Sequence, residues 1–274
     1  MRLSVRHHMQ HRYRKAAKSV IQALRLTPRN HDGQHVVHWR IDVDVECRLR
    51  ASQDAFGNVV HGFSADGPLE SLSVTAIGEV ETIDTRGVVN GAVERFAPDL
   101  YVRATSLTQA NADAKALAEL AFAEEGELNK LHALLRAASK QPAGEAAQAQ
   151  TQGSQSQTQS GASKHAGSEA LVHLFIAAAR HLGIATRYVA GYRLPDSGSA
   201  RQGAHAWAEG HVPGLGWVGF DPANCLCPDD RYVRVAIGLD ALGASPMRGA
   251  FTGADSHAMK EEVSVIEGRG RGTG

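Results

Sequence analysis

From Val37 to Leu49 the chain alternates without a break. Val37, Trp39, Ile41, Val43, Val45, Cys47 and Leu49 are apolar, and His38, Arg40, Asp42, Asp44, Glu46 and Arg48 stand between them. Successive side chains of an extended strand point to opposite faces, so this period of two fits a strand with one face on a core and excludes a helix. Gly57-Asn58 supplies a turn ahead of Val59-Val60. A β-branched apolar run from Leu72 to Ile83 follows, bounded by Asp66-Gly67-Pro68 and by Asp84 to Gly87. Residues 1–105 therefore read as a β-rich domain.

Past Thr108 the period changes. Leu117, Leu120 and Ala121, then Leu128, Leu131 and Leu135, recur at helical spacing, which predicts two helices broken near Gly126. From Gln141 to Ser163 there are seven Gln and four Ser and no apolar side chain larger than Ala, too little to offset the entropy of ordering. This insert, at 141–165, is expected to be disordered or a mobile loop, as is the Gly/Arg-rich tail 268–274. Between them, Leu171, Leu174, Phe175, Ala178 and Leu182 form one helical stripe from about Ser168 to His181, stopped by Gly183. Strands are expected at Thr186 to Tyr192, Ala204 to Val212 and Trp217 to Asp221. A length of 274 residues allows two compact units, 1–105 and 106–267.

Lys plus Arg and Asp plus Glu balance at 29 each, so no overall field selects nucleic acid. Residues 1–40 carry nine basic side chains against Asp32, but without interleaved aromatic residues, and read as a solvated strand face. Three cysteines are too few for a disulfide framework. With no apolar leader and no window of 18 apolar residues, the expectation is a cytoplasmic protein that avoids membranes. Cys225-x-Cys227 with His205 or His211 would suggest zinc but lacks a fourth ligand at metal-like spacing, and the His7, His8, Met9, His11 group reads as the surface of a first strand, so neither metal nor cofactor is expected.

The densest pattern is His205-Ala206-Trp207-Ala208-Glu209, a Pro-Gly-Leu-Gly turn, then Trp217 to Asp221-Pro222. Together with the run from Ala177 to Tyr192, it resembles the bacterial transglutaminase-like core, a papain-type fold, and residues 1–100 resemble the β-domain that commonly precedes it. The resemblance implies an α+β architecture with a helix packed on an antiparallel sheet. It also implies a triad in which a thiolate attacks a carbonyl, an imidazole moves the proton and a carboxylate orients the imidazole. His205 and Asp221 match two members. Counting back five residues from His173 puts Ser168 where the family has its cysteine, and Ala170 replaces its Asp. Ser168 is read as the N-cap of its helix in a catalytically silent homologue that binds a peptide or protein, with Trp207 as a substrate-side residue. The alternative is an active amide or peptide hydrolase or acyltransferase with Ser168 as nucleophile. Trp217 is expected in the core or a pocket wall, Glu209 on a solvated strand face, and homo-oligomerisation is left open.

Register decides whether His205 and Asp221 meet. A four-residue loop over 213–216 pairs Val212 with Trp217 and puts Asp221 opposite Ala208, on the wrong face. A five-residue loop or a bulge shifts the pairing by one, which places Asp221 across from Glu209 or Trp207 on the face of His205. The shifted register is the expected one.

Overall fold

The computed structural model describes residues 1–141, 165–196, 204–254 and 257–268, with side chains in the third helix described from Ser168 onward. The insert at 141–165 and the tail 268–274 fall almost wholly outside these residues. The architecture is α+β: a bent first sheet, then a helical layer on a second sheet. No helix among the described residues is long and apolar enough to cross a membrane.

The first sheet is built on two long antiparallel strands, β1 (Arg2–Thr27) and β4 (Val59–Thr82). Along the start of β1 the odd residues Leu3, Val5, His7, Met9, His11 and Tyr13 are all buried. Register shifts opposite Ala17 let the pair bend, so its two ends serve different cores: Leu3, Val5 and Val80 pack with the helices, while Met9, Leu24 and Leu72 pack in a separate cluster. β2 (Gln34–Val43) and β3 (Arg50–Gln53) both flank β4.

Several expected boundaries move. The alternating run 37–49 is laddered only to Val43, and a bulge between Val36 and His38 leaves Val37 39% exposed, although odd residues from Trp39 to Leu49 remain half-buried. Asp66-Gly67-Pro68 does not bound a strand, because β4 runs through it. The His7, His8 and His11 group lies on a first strand as expected, but His7 and His11 are buried rather than at the surface.

The second sheet runs in the order β5 (Val88–Val89), β8 (Gly216–Phe220), β7 (Ala204–Val212), β6 (Thr186–Arg193), β9 (Tyr232–Gly238), antiparallel throughout. α1 (Ala112–Phe122) starts at Asn111, whose side chain accepts from the Ala114 N–H, and α2 (Glu127–Ala138) starts at Gly126, at φ 78°. Leu117 and Ala121 are buried, whereas Leu120 is 70% exposed. α3 (His165–His181) is covered on all sides, every residue from Ala170 to Ala179 being buried, so it forms the centre of the core rather than an amphipathic face. Arg180 fixes its far end by donating to the carbonyls of Tyr101, Thr186 and Leu239 and to Thr108 Oγ1.

After α4 (Ala241–Ala244) the chain leaves this core. β10 (Met247–Thr252) and β11 (His257–Glu267) both pair with β1, so residues 247–267, expected in the core, complete the first sheet instead. Two buried amides join the sheets along β9: Asn58 exchanges hydrogen bonds with the Ile237 backbone at 2.7 and 2.8 Å, and Gln34 does the same with Arg234 at 2.9 and 2.7 Å. Each supplies the donor and acceptor that a neighbouring strand would give.

Candidate active site

The hairpin of β7 and β8 has the register that brings His205 and Asp221 together. Val212 pairs with Gly216 and Ala208 with Phe220, so Asp221 falls across from Trp207 on the face of His205. The loop has three residues, 213–215, rather than four or five, with Gly214 and Gly216 both at φ 83°.

His205 Nε2 lies 2.6 Å from Asp221 Oδ2. Asp221 is fully buried and takes further hydrogen bonds from the Tyr232 hydroxyl at 2.7 Å, Asn224 Nδ2 at 2.7 Å and the backbone N–H groups of Ala223 and Asn224. Burial pushes its pKa up, but the bond and charge of His205, with Tyr232 and Asn224, outweigh it and hold the carboxyl below its ordinary value. An ionised carboxylate only accepts, so Nε2 carries the proton and Nδ1 is left as the base.

Ser168, Glu169 and His205 line one cleft between the two sheets, with His7, Arg25 and Glu261 on the opposite wall. Ser168 is not an N-cap, because residues 165–167 before it are already helical and it stands in the first turn of α3. Ala170 is 2% exposed, and His173, 2% exposed, accepts from the Ala241 N–H through Nε2 at 3.1 Å. Burial lowers the His173 pKa to about 4, so this imidazole is neutral and serves packing.

Trp207 does not reach the cleft. It is 2% exposed, packs edge-on against Tyr232, and lines a separate cavity with Glu209 and Arg234. Glu209, expected on a solvated face, is fully buried: Arg187 Nε binds it at 2.6 Å and Arg234 Nε at 2.7 Å. Burial alone would raise its pKa, and the two guanidinium groups bring it down to about 2. Trp217 stacks under Arg187, 3.9 Å from its guanidinium carbon. The segment 88–97, which places Glu94 on Arg187, and the turn at His31 to Gln34 cover this face, which is why Glu209 meets no water.

Sequence reasoning missed Tyr232, Asn224 and Glu169. Tyr232 lies in the run Asp229 to Arg234, which resembles the C-terminal portion of the bacterial transglutaminase-like proteins, and opens β9, while Asn224 stands in the turn that follows Asp221. Cys225 is exposed and Cys227 half-buried, and among the described residues no group of three His, Cys, Asp or Glu could hold a metal ion.

Comparison with known proteins follows the same division. Residues 3–81 match the bacterial transglutaminase-like N-terminal region, and residues 114–222 match the transglutaminase-like superfamily. An uncharacterized protein of Mycobacterium leprae is 27% identical over 96% of this chain and 98% of its own length. One of Mycobacterium tuberculosis is 34% identical over 34% of this chain and 33% of that protein. The solved structure of a candidate cysteine protease from Cytophaga hutchinsonii aligns over 98% of this chain and 92% of that one, with a TM-score of 0.65 at 18% identity, a likeness of fold.

Proposed function

Given a bacterial transglutaminase-like N-terminal region at 3–81 and a transglutaminase-like core at 114–222, we propose that this chain is a catalytically silent homologue that holds a peptide or protein segment in its inherited cleft, in the cytoplasm. The observation that carries this reading is the pair Ser168 and Glu169. A helix N-terminus can lower a thiol's pKa to near neutrality but leaves a hydroxyl far from ionisation. The next residue is a half-buried carboxylate in the same cleft, which opposes negative charge building on the Ser168 oxygen.

A second reading has one observation in its favour. His205 is held through Nε2 by a carboxylate with four other hydrogen bonds, leaving Nδ1 as a general base, and such a base can activate a serine. The two separate by acyl trapping. Treatment with a fluorophosphonate and with p-nitrophenyl acetate, read by mass spectrometry, is expected to leave Ser168 unmodified, while Ser168→Cys takes up the acetyl group. A stoichiometric adduct on Ser168 that disappears in Ser168→Ala would overturn the silent reading.

A further inference from the structure

Glu169 is the feature of the cleft that the fold does not account for. A carboxylate in the first turn of a helix is ordinarily stabilised by the N-terminal dipole and by water. This one is half-buried and lines the cleft beside Ser168. It has neither a hydrogen bond nor an ion pair among the described residues, although every other carboxylate named in this region has found one. Burial, and then the charge of Asp240, push its pKa up.

No cation of the opposite wall is bonded to Glu169 among the described residues. Arg25 donates through Nε to Asp54 Oδ2 at 2.9 Å, and its buried Nη1 has no hydrogen-bond partner among them. His7 is committed on both nitrogens, to Glu261 Oε1 at 2.8 Å and to the Tyr192 hydroxyl at 3.0 Å. The cleft thus holds a desolvated carboxylate, which calls for N–H donors carrying positive charge.

We propose that the cleft takes a basic side chain, lysine or arginine, of a bound peptide, with Glu169 as its counter-ion. The assignment rests on the peptide-binding reading above and adds the charge of the ligand to it. The cation restores the ionised form of Glu169, so binding strengthens as pH rises through the pKa of that carboxyl and weakens below it.

Fluorescence anisotropy tests it with the full chain and two probes, fluorescein-Ala-Ala-Lys-Ala-Ala-amide and its norleucine counterpart, which keeps the stem and loses the charge. The lysine probe is expected to bind about tenfold more tightly, and Glu169→Gln to bring the two together. Glu169→Asp should restore part of the preference, with unchanged melting temperatures excluding a folding defect. Equal binding of both probes to the wild-type chain overturns the charge assignment and leaves peptide binding standing. Absence of binding by either probe up to about 1 mM overturns both. A lysine preference that survives Glu169→Gln overturns the assignment to this residue.

Discussion

Glu209 and Asp221 are both fully buried on one face of the second sheet, two strand positions apart, and they are neutralised in opposite ways. Glu209 meets two guanidinium groups, Arg187 and Arg234, and Arg187 is itself held by Glu94 at 2.6 Å. Among the described residues Asp221 meets no arginine: its partners are a phenol, an amide, two backbone N–H groups and the imidazole of His205. A carboxylate matched by fixed cations has its charge cancelled where it stands. One held by neutral donors keeps its charge for the single titratable partner, and that partner opens onto the cleft. The first arrangement joins elements of the fold; the second orients a side chain.

The largest expected effect separates the two by stability. Glu209→Gln leaves Arg234 and half of Arg187 buried against a neutral amide, which costs about 3 kcal/mol by analogy with other broken buried pairs. Asp221→Asn keeps a polar group among neutral donors and costs about 1.5 kcal/mol. Urea denaturation measures both, and equal losses would break the distinction.

The pH dependence sharpens it. The Glu209 pKa falls from an ordinary 4.5 to about 2 in the folded chain. A depressed carboxyl contributes stability that is present above the unfolded value and is lost as pH falls toward the folded one. Wild-type stability should therefore decline between those values, and the decline should be shallower in Glu209→Gln. Parallel curves for the two proteins would mean that Glu209 does not carry the effect.

The same contrast explains how much the sequence disclosed. The period-two run, the helix stop at Gly183 and the hairpin turn are local, and each was legible to within a few residues. The His205–Asp221 contact was legible as a choice of register, because a one-residue slip turns the side chain to the other face. Glu209 was not, since strand alternation says which residues share a face but not what covers it. Its cover comes from Glu94 and the turn at Gln34, distant in sequence. The return of 247–267 to β1 was hidden for a related reason: its pairing partner lies at the other end of the chain. Glu169 escaped notice because a glutamate in a first turn is ordinary by every local rule.

The smallest expected effect tests whether neutral donors tune the charge that Asp221 offers. Tyr232 donates to Asp221 and also sets its ring edge-on to His205, with centroids 5.8 Å apart. Tyr232→Phe keeps the ring and removes only the donor, at a cost of about 1 kcal/mol in stability. With one donor fewer, the Asp221 carboxylate is less spread among its neighbours and draws the imidazole proton more strongly. In the Ser168→Cys background this favours the thiolate–imidazolium pair, so the acid limb of iodoacetamide alkylation should move to lower pH, by less than about one unit. An unmoved limb would make Tyr232 a packing residue, and a limb displaced upward would mean that its hydroxyl, like the arginines at Glu209, had been holding the fold rather than the imidazole.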